Sequence, residues 1–549
     1  MAAEVTISSG RLQGIDEQGV HAFKGVPYAA APVGGLRLRP PVPSAAWDGV
    51  RDAGTYGLTA IQQPMPGIFG ELGTPQSPAG DDCLNLNVWT PDPGAAGLPV
   101  LVWIHGGAFY AGSGVDDVYN GSAFARDGVV CVTINYRLGV QGFWHLGEHF
   151  AELSESGNIG LLDQIAALEW VQENIAAFGG DPARVTIAGE SAGGMSVSSL
   201  MTMPAARGLF RRAIPQSGAG HNGLGVETAS MIGGHMLDIL GVAPGDLDAL
   251  LRVPNEILLD TQVKLGDELQ TTRDPARFGE AAASAMAFQP TYGTEALPQR
   301  PIDAIVAGAA ADIDLMIGTT RDEALIFIVD LKDIFNEELV AMTVDAVFGM
   351  AGRDGSAVLD VYRSNRPDAE PHEIAAAIES DRMFVVPAIR MADAQAAYNP
   401  NTRLYRVDWQ ADVAWGAHHF IEVPFAFDQL DNPQARGFSG DDPPRSLSAA
   451  THAAWVGFVR DGDPNHEGLP EWPRYDAETR PTMLFNDTCS VENRPADDEV
   501  SLWEGVVCPR HRPPWRPIRG LRASDGGGTR QDAPGGGAGR RHRLRARVA

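Results

Sequence analysis

Short apolar runs bounded by turn residues recur along the chain: "PVLVWIHGG" (99–107), "VVCVTINY" (129–136), "RVTIAGES" (184–191) and "IDLMIGTT" (313–320). They show no polar alternation, which is the pattern of strands buried on both faces, as in a parallel sheet. Two later runs, "TRLYRVDW" (402–409) and "TMLFND" (482–487), read as further strands. The first 30 residues break differently, into short β segments punctuated by glycine: "EVTISSG", "RLQGIDE" and "VHAFKGVPY". Between the second and third long runs lies "NIGLLDQIAALEWVQENIAAFGG". There Leu161, Leu162, Ile165, Leu168 and Ile175 fall near helical spacing, and Gly179-Gly180 supplies the stop. Strand, helix, strand is the crossover unit of a parallel sheet. Residues 225–300 and 330–400, rich in Ala, Leu, Met and acidic side chains, read as helical excursions over the sheet's carboxyl edge.

One of those strands runs straight into chemistry. "FGGDPARVTIAGESAGG" (178–194) sets Ser191 between Gly189 and Gly193. With Gly at 63 of 549 residues, and Ser at a typical share of about 6%, roughly 0.4 G-x-S-x-G pentapeptides arise by chance. Placement carries more than the pentapeptide does. The serine follows an apolar strand at once and precedes "AGGMSVSSL", a small-residue helix start, which is the strand–turn–helix setting of a nucleophile elbow. The flanking glycines are needed because a turn that sharp presses backbone on backbone. A helix beginning at the serine also aims free N–H groups and a positive dipole at the reacting centre.

A second stretch, "WIHGGAFYAGSG", ends a strand at Ile104 and continues with Gly106 and Gly107. A serine that attacks an acyl carbon needs donors for the resulting oxyanion, and glycines let backbone N–H groups approach unobstructed. Gly106, Gly107 and Ala192 together make a three-donor hole.

Taken with "FKGVPYAAAPVGGLRLRPP", "DDCLNLNVWTP", "NYRLGVQGF", "PQSG", "IGTTRDEA" and "HHFIEVPFAF", these stretches resemble the type-B carboxylesterases, which include p-nitrobenzyl esterases and cholinesterases. The resemblance spans roughly residues 5–505. It implies the α/β-hydrolase fold: a large, mostly parallel central sheet flanked by helices, with helical insertions over an active-site gorge. It further implies a Ser–Glu–His triad in that chain order, with no metal or organic cofactor. The acid is then Glu323, with Asp322 one residue away as the rival. Ala324 stands where the family usually has glycine. "GAHHFIEVPF" offers both His418 and His419 as base; the family spacing to a glutamate three residues on and a following proline is met by Glu422 and Pro424 counted from His419. Ser217 in "PQSG" matches a serine that supports the acid. Glu190, beside the nucleophile, reads either as a residue that tunes the field at His419 or as a buried, hydrogen-bonded carboxylate.

The implied reaction is hydrolysis of short- to medium-chain or aryl carboxylic esters through an acyl-enzyme, the partners being a small ester and water. A lipase, a hydrolase of carbamates or toxin esters, and a non-catalytic binding or adhesion protein are the alternatives on this fold. Binding and adhesion members of the family have generally lost a triad residue, whereas this chain keeps the whole set. Nearness to the motifs suggests a substrate pocket of Ala108, Met195, Phe327, Trp415 and Phe420, each of which reads equally as core. The loop before Cys83 lacks the tryptophan that cholinesterases place there, which argues against choline selectivity.

Charge and cysteine content trim this picture. A formal net charge of −28 disfavours nucleic acid as a partner of the main body. Residues 509–549 differ in kind: eleven arginines against two aspartates, a net charge of +9, which leaves −37 on the first 508 residues. The chain therefore reads as one domain over 1–508 and a basic low-complexity tail over 509–549, too poor in apolar residues to offset its ordering entropy. Lysine occurs only at Lys24, Lys264 and Lys332, a bias that fits a GC-rich gene or salt adaptation. Four scattered cysteines make no disulfide framework. Cys131 reads as a small core residue. Cys83 matches a cysteine that is disulfide-bonded in secreted members, but its expected partner falls in "LTAIQQP", which has none. With no apolar run of membrane-spanning length and no basic, apolar leader in "MAAEVTISSG", the expectation is a cytoplasmic monomer. "HLGEH" (145–149) formally matches H-x-x-E-H, but the glycine inside it and the loop expected there argue against a zinc site.

Overall fold

The computed structural model describes residues 3–65, 67–72, 77–411 and 414–506. Cys508, the boundary expected at 508/509 and the basic tail lie outside the described residues.

The apolar runs form the middle of an eleven-stranded sheet. From one edge its order is Ser490–Asn493, Pro481–Phe485, Thr402–Val407, Asp314–Thr320, Arg212–Gln216, Gly180–Glu190 and Leu98–Ile104. Val130–Ile134, Asn85–Thr90, Val20–Pro27 and Ile15–Glu17 complete it. Neighbours from Pro481–Phe485 through to Val130–Ile134 are all parallel. The pairs at both edges are antiparallel. Glu4–Ile7, Gly10–Gln13 and Val50–Asp52 make a separate three-stranded sheet.

The period-2 geometry of a strand explains why these runs are apolar at every position. Val100, Val102 and Ile104 face one core cluster, with Val130, Val132, Val185, Ile187, Leu315 and Ile317. Leu101 and Trp103 face the other, with Cys131, Ala188, Ile214, Met316 and Tyr405. Cys131 is therefore a fully buried core residue.

Helix Ile159–Asn174, continued by a 3-10 turn to Phe178, makes the crossover and ends at Gly179 with φ +83°. The strands it joins are not neighbours, because Leu98–Ile104 lies between them. The helix is buried on more faces than the leucine and isoleucine spacing predicts: Asp163 and Gln164 are fully buried with the leucines. Asp163 is accommodated by Arg137, whose Nη2 lies 2.6 Å from Oδ1 and whose Nε donates to Oδ2 at 2.8 Å. A charge that deep is tolerated only when paired and hydrogen-bonded.

Both expected helical excursions are present. The first runs between strands Arg212–Gln216 and Asp314–Thr320 and includes helices Val226–Leu240 and Asn255–Thr272. The second, between Asp314–Thr320 and Thr402–Val407, includes Glu337–Phe348, Gly355–Asn365 and Pro371–Ser380. It continues through a π-turn, Asp381–Val385, into Val386–Ala396. Among the described residues no helix is long and apolar enough to cross a membrane.

Candidate active site

Strand Gly180–Glu190 stops at Ser191, and helix Ala192–Leu200 begins on the next residue. Ser191 sits at φ 57°, ψ −124°, a conformation that costs a non-glycine residue about 1–3 kcal/mol and persists only where the surroundings impose it. They do so on both sides. Ser191 N–H donates to the Gln216 carbonyl at 2.9 Å, and the Ser191 carbonyl accepts from Met195 N–H at 2.8 Å. A Cβ on Gly193 would stand 2.0 Å from the Ile104 carbonyl oxygen, and one on Gly189 would stand 2.5 Å from the same atom. The elbow closes that tightly.

Gly106 packs on the elbow from the adjacent strand end: a Cβ there would meet the Glu190 carbonyl at 2.7 Å and Ser191 Cβ at 3.1 Å. Gly107 (φ 106°), Ala108 (φ 52°) and Phe109 (φ 63°) follow with three positive φ angles in succession. The Gly107 carbonyl takes the N–H groups of both Tyr110 and Ala111, which turns this loop back on itself beside the serine.

Glu323 and His419 meet although they come from different loops. His419 Nδ1 lies 2.5 Å from Glu323 Oε2. Glu323 is fully buried, and its other oxygen accepts from Ser217 Oγ at 2.6 Å and Thr320 N–H at 2.8 Å. The rival residues are engaged elsewhere. Asp322 binds the Arg321 guanidinium and accepts from Ala417 N–H at 2.9 Å. His418 points Nδ1 at the His419 carbonyl and Nε2 at the Phe438 carbonyl. Asp322 and His418 also pair through one parallel β-bridge. That bridge sets the two loops side by side and turns the next residue of each, Glu323 and His419, toward the other.

Glu190 is 2% exposed, and its Oε1 stands 3.0 Å from His419 Nε2. The contact is a charge approach rather than an aligned hydrogen bond, for neither atom has a hydrogen-bond partner among the described residues. Burial alone would lower the His419 pKa; the carboxylates of Glu190 and Glu323 outweigh it and hold the imidazole well above its ordinary value. Burial and the nearby Glu323 charge raise Glu190, and His419 opposes them. A third carboxyl, Glu422, is also fully buried. Desolvation, then Glu190 and Glu323, push its pKa up to about 8. Its position three residues beyond His419 was the signal for its place in the site.

Two phenyl rings flank His419. Phe327, 44% exposed and stacked on Phe69, has its centroid 5.3 Å from the imidazole, and Phe384 lies at 4.8 Å. Phe384 was not foreseen; it arrives from the π-turn, and nothing near the motifs points to it. The other expected pocket residues are placed differently. Trp415 packs edge-on against His418, and Phe420 is buried against Phe438 and Tyr119. Met195 belongs to the core cluster below the elbow helix. In "HLGEH", His145 Nε2 meets Glu148 at 2.6 Å, whereas His149 Nε2 turns to the Ser230 carbonyl. Ahead of "HLGEH", where a loop was expected, the strand stops at Ile134 and a one-turn helix, Gly139–Gly142, follows. Gly139 can adopt the φ of 51° that starts it. Cys83 is buried and unbridged.

Residues 1–503 match the carboxylesterase family. The chain belongs to that family. It is 40% identical over 502 residues to the para-nitrobenzyl esterase of Bacillus subtilis, covering 90% of this chain and 97% of that one. It is 38% identical over 491 residues to the phenmedipham hydrolase of Pseudarthrobacter oxydans, covering 87% and 94%. A solved carboxylesterase of Geobacillus stearothermophilus superposes with a TM-score of 0.80 at 39% identity, over 91% of this chain and 99% of its own. The fold is thus that of the α/β-hydrolases, as expected, and this carboxylesterase is a carboxylic-ester hydrolase.

Proposed function

We propose that Ser191 is the nucleophile, His419 its general base and Glu323 the residue that holds the imidazole. The observation that carries this reading is the 2.5 Å contact of Glu323 with His419 Nδ1, which leaves Nε2 as the nitrogen available for proton transfer. His419 Nε2 accepts the Ser191 proton as Oγ attacks the ester carbonyl carbon. The amides of Gly106, Gly107 and Ala192 receive the oxyanion. His419 then protonates the departing alcohol, and an acyl-enzyme remains. A water deprotonated by His419 attacks that acyl group, and the acid leaves. Glu323 stabilises the imidazolium and does not take the proton itself. Ser217 and Glu190 act on this set from outside, the first through Glu323 and the second through Nε2.

The substrates proposed are short- to medium-chain and aryl esters. The exposed ring of Phe327, with Phe384 behind it on His419, offers an apolar surface for an acyl or aryl group, and likeness to a para-nitrobenzyl esterase supports the aryl choice. Likeness to a phenmedipham hydrolase favours including carbamates in the survey. A cytoplasmic, monomeric enzyme without nucleic-acid partners completes the proposal. It is tested by hydrolysis of p-nitrophenyl esters from acetate to palmitate, with wild type and Ser191→Ala in parallel. Turnover of the short esters, abolished by the substitution, is the expected result. A maximum at palmitate makes the enzyme a lipase, and equal inactivity of both proteins on every ester overturns the assignment.

A further inference from the structure

The π-turn Asp381–Val385 touches the proposed triad at two points. At its start, Ser380 Oγ accepts from Ala324 N–H at 2.9 Å and donates to the Ala376 carbonyl at 2.7 Å, so the backbone just after Glu323 is tied to helix Pro371–Ser380. Near its end, Phe384 lays its ring 4.8 Å from that of His419. The residue a π-turn adds rotates every following side chain by about 100° relative to an unbroken α-helix. Phe384 lies inside that widened turn, so the direction of its ring depends on the turn being held. Pro387 gives the turn a local cause, because a proline ring in uninterrupted α register would press on the carbonyl four residues back, at Met383.

What holds the turn is a buried polar chain. Asp381 Oδ2 accepts from Tyr362 Oη at 2.6 Å, and Tyr362 Oη accepts from Trp503 Nε1 at 2.9 Å. All three side chains are at least nine-tenths buried. Tyr362 belongs to helix Gly355–Asn365 and Trp503 to a 3-10 turn at Ser501–Trp503, so two other elements clamp the first residue of the π-turn. Burial pushes Asp381 up to about 7; Glu499 adds to this, while the Tyr362 hydrogen bond and the charges of Arg366 and Arg406 oppose it. A carboxyl buried at a helix irregularity, hydrogen-bonded to the Tyr362 phenol and opposed or assisted by Glu499, Arg366 and Arg406 through their charges, is an expensive way merely to fill space. The reaction proposed above has no step for it.

We infer that Asp381 is a positioning residue for this carboxylesterase: through the π-turn it sets Phe384 against His419 and, through Ser380, the backbone beside Glu323. This rests on the triad reading above. Asp381 touches no reacting atom, so loss of its anchor acts on kcat through misplacement of Glu323 and His419. The titratable groups facing His419 are Glu190, Glu323 and, further out, Glu422, with His418 beside it in the chain. Loosening Glu323 removes part of what stabilises the imidazolium. The acid limb of the kcat/KM profile then moves to lower pH.

The test compares wild type with Asp381→Ala, Asp381→Asn and Tyr362→Phe on p-nitrophenyl butyrate, each rate divided by the number of competent sites from a p-nitrophenyl organophosphate burst. Expected for Asp381→Ala is a fall in kcat of about tenfold per titrated site, the scale of one lost hydrogen bond to a charged group, with KM within about twofold and the acid limb displaced downward. Asp381→Asn keeps an oxygen that Tyr362 can donate to, and recovers most of the rate. Should Asp381→Ala fail to fold, Tyr362→Phe decides, by a smaller change in the same direction. A purely structural role lowers the titrated fraction and leaves kcat per site and the acid limb where they were; that result overturns the inference. Ser191→Ala is run beside them. If it keeps activity, the triad reading itself has failed, whatever the Asp381 variants do.

Discussion

Glu190 Oε1 lies 3.0 Å from His419 Nε2, so the imidazole stands between two buried carboxylates rather than against one. The nitrogen that must accept the Ser191 proton is the one Glu190 approaches. Both carboxylates hold the imidazole above its ordinary pKa, and it serves as a base only once its proton has left. Glu190→Gln keeps the shape and removes the charge. It lowers the His419 pKa, and the acid limb of kcat/KM moves to lower pH than in wild type. A pH–rate profile between pH 5 and 9 measures this directly; superimposable limbs mean that the 3.0 Å contact has no electrostatic consequence.

Ser217 and Thr320 share one oxygen of Glu323, while the other faces His419. Ser217→Ala leaves the backbone donor in place and removes the shorter bond, so the carboxylate keeps its charge but gains freedom. Its expected cost is about tenfold in kcat with KM little changed, the scale of one hydrogen bond to a carboxylate. Glu323→Gln, which favours the wrong imidazole tautomer, costs about 10⁴. Steady-state kinetics of the pair separates support from direct action: equal losses in the two variants would place Ser217 in the chemistry itself.

How legible this was varies from residue to residue. The strands were readable because both faces are buried, which removes the polar alternation that would blur them. The elbow was readable because its glycines are imposed by contacts as short as 2.0 Å, which leave no other residue possible. The choice between Glu323 and Asp322, or His419 and His418, was not readable from residue type. It depends on a single β-bridge between two loops distant in sequence, and only family spacing pointed to the pair that meets. Phe384 left no trace at all. A π-turn breaks helical periodicity for just five residues, and its effect at His419 exists only after the second helical excursion has folded back. For Phe420 nearness in sequence left pocket and core both open: it adopts φ 83° beside His419 and packs on Phe438, 4.7 Å away.

Two glycines with very different surroundings separate crowding from backbone strain. In Gly193→Ala the new methyl would stand 2.0 Å from the Ile104 carbonyl oxygen and 2.9 Å from that of His105, both backbone atoms that cannot swing aside. The elbow must open, so soluble protein should be lost or its Tm should fall by many degrees. Gly19, at φ +84°, has nothing beyond its own chain neighbours within 4 Å of where a methyl would sit, so only its conformation resists the change. Gly19→Ala should cost about 1–2 kcal/mol and leave kcat untouched. Thermal melts of the two variants make the comparison, and equal losses would refute the crowding argument.

Glu422 makes stability itself pH-dependent, with a sign that follows from its surroundings. Its pKa rises from 4.5 to about 8 on folding, by desolvation first and then by the charges of Glu190 and Glu323. Between those values the native state keeps a proton that the unfolded chain has released. The contribution is therefore fully present below pH 4.5, falls as pH climbs, and is gone above about pH 8. One carboxyl oxygen accepts from Gln216 Nε2 at 3.4 Å, and the other has no partner among the described residues. Its own backbone amide and the His419 charge favour the ionised form, but desolvation and the two carboxylates outweigh them. Glu422→Gln mimics the protonated side chain at every pH. The variant should melt close to wild type at pH 5 and several degrees above it at pH 9. Melting curves that run parallel across that range would show that Glu422 ionises as freely in the folded protein as in water.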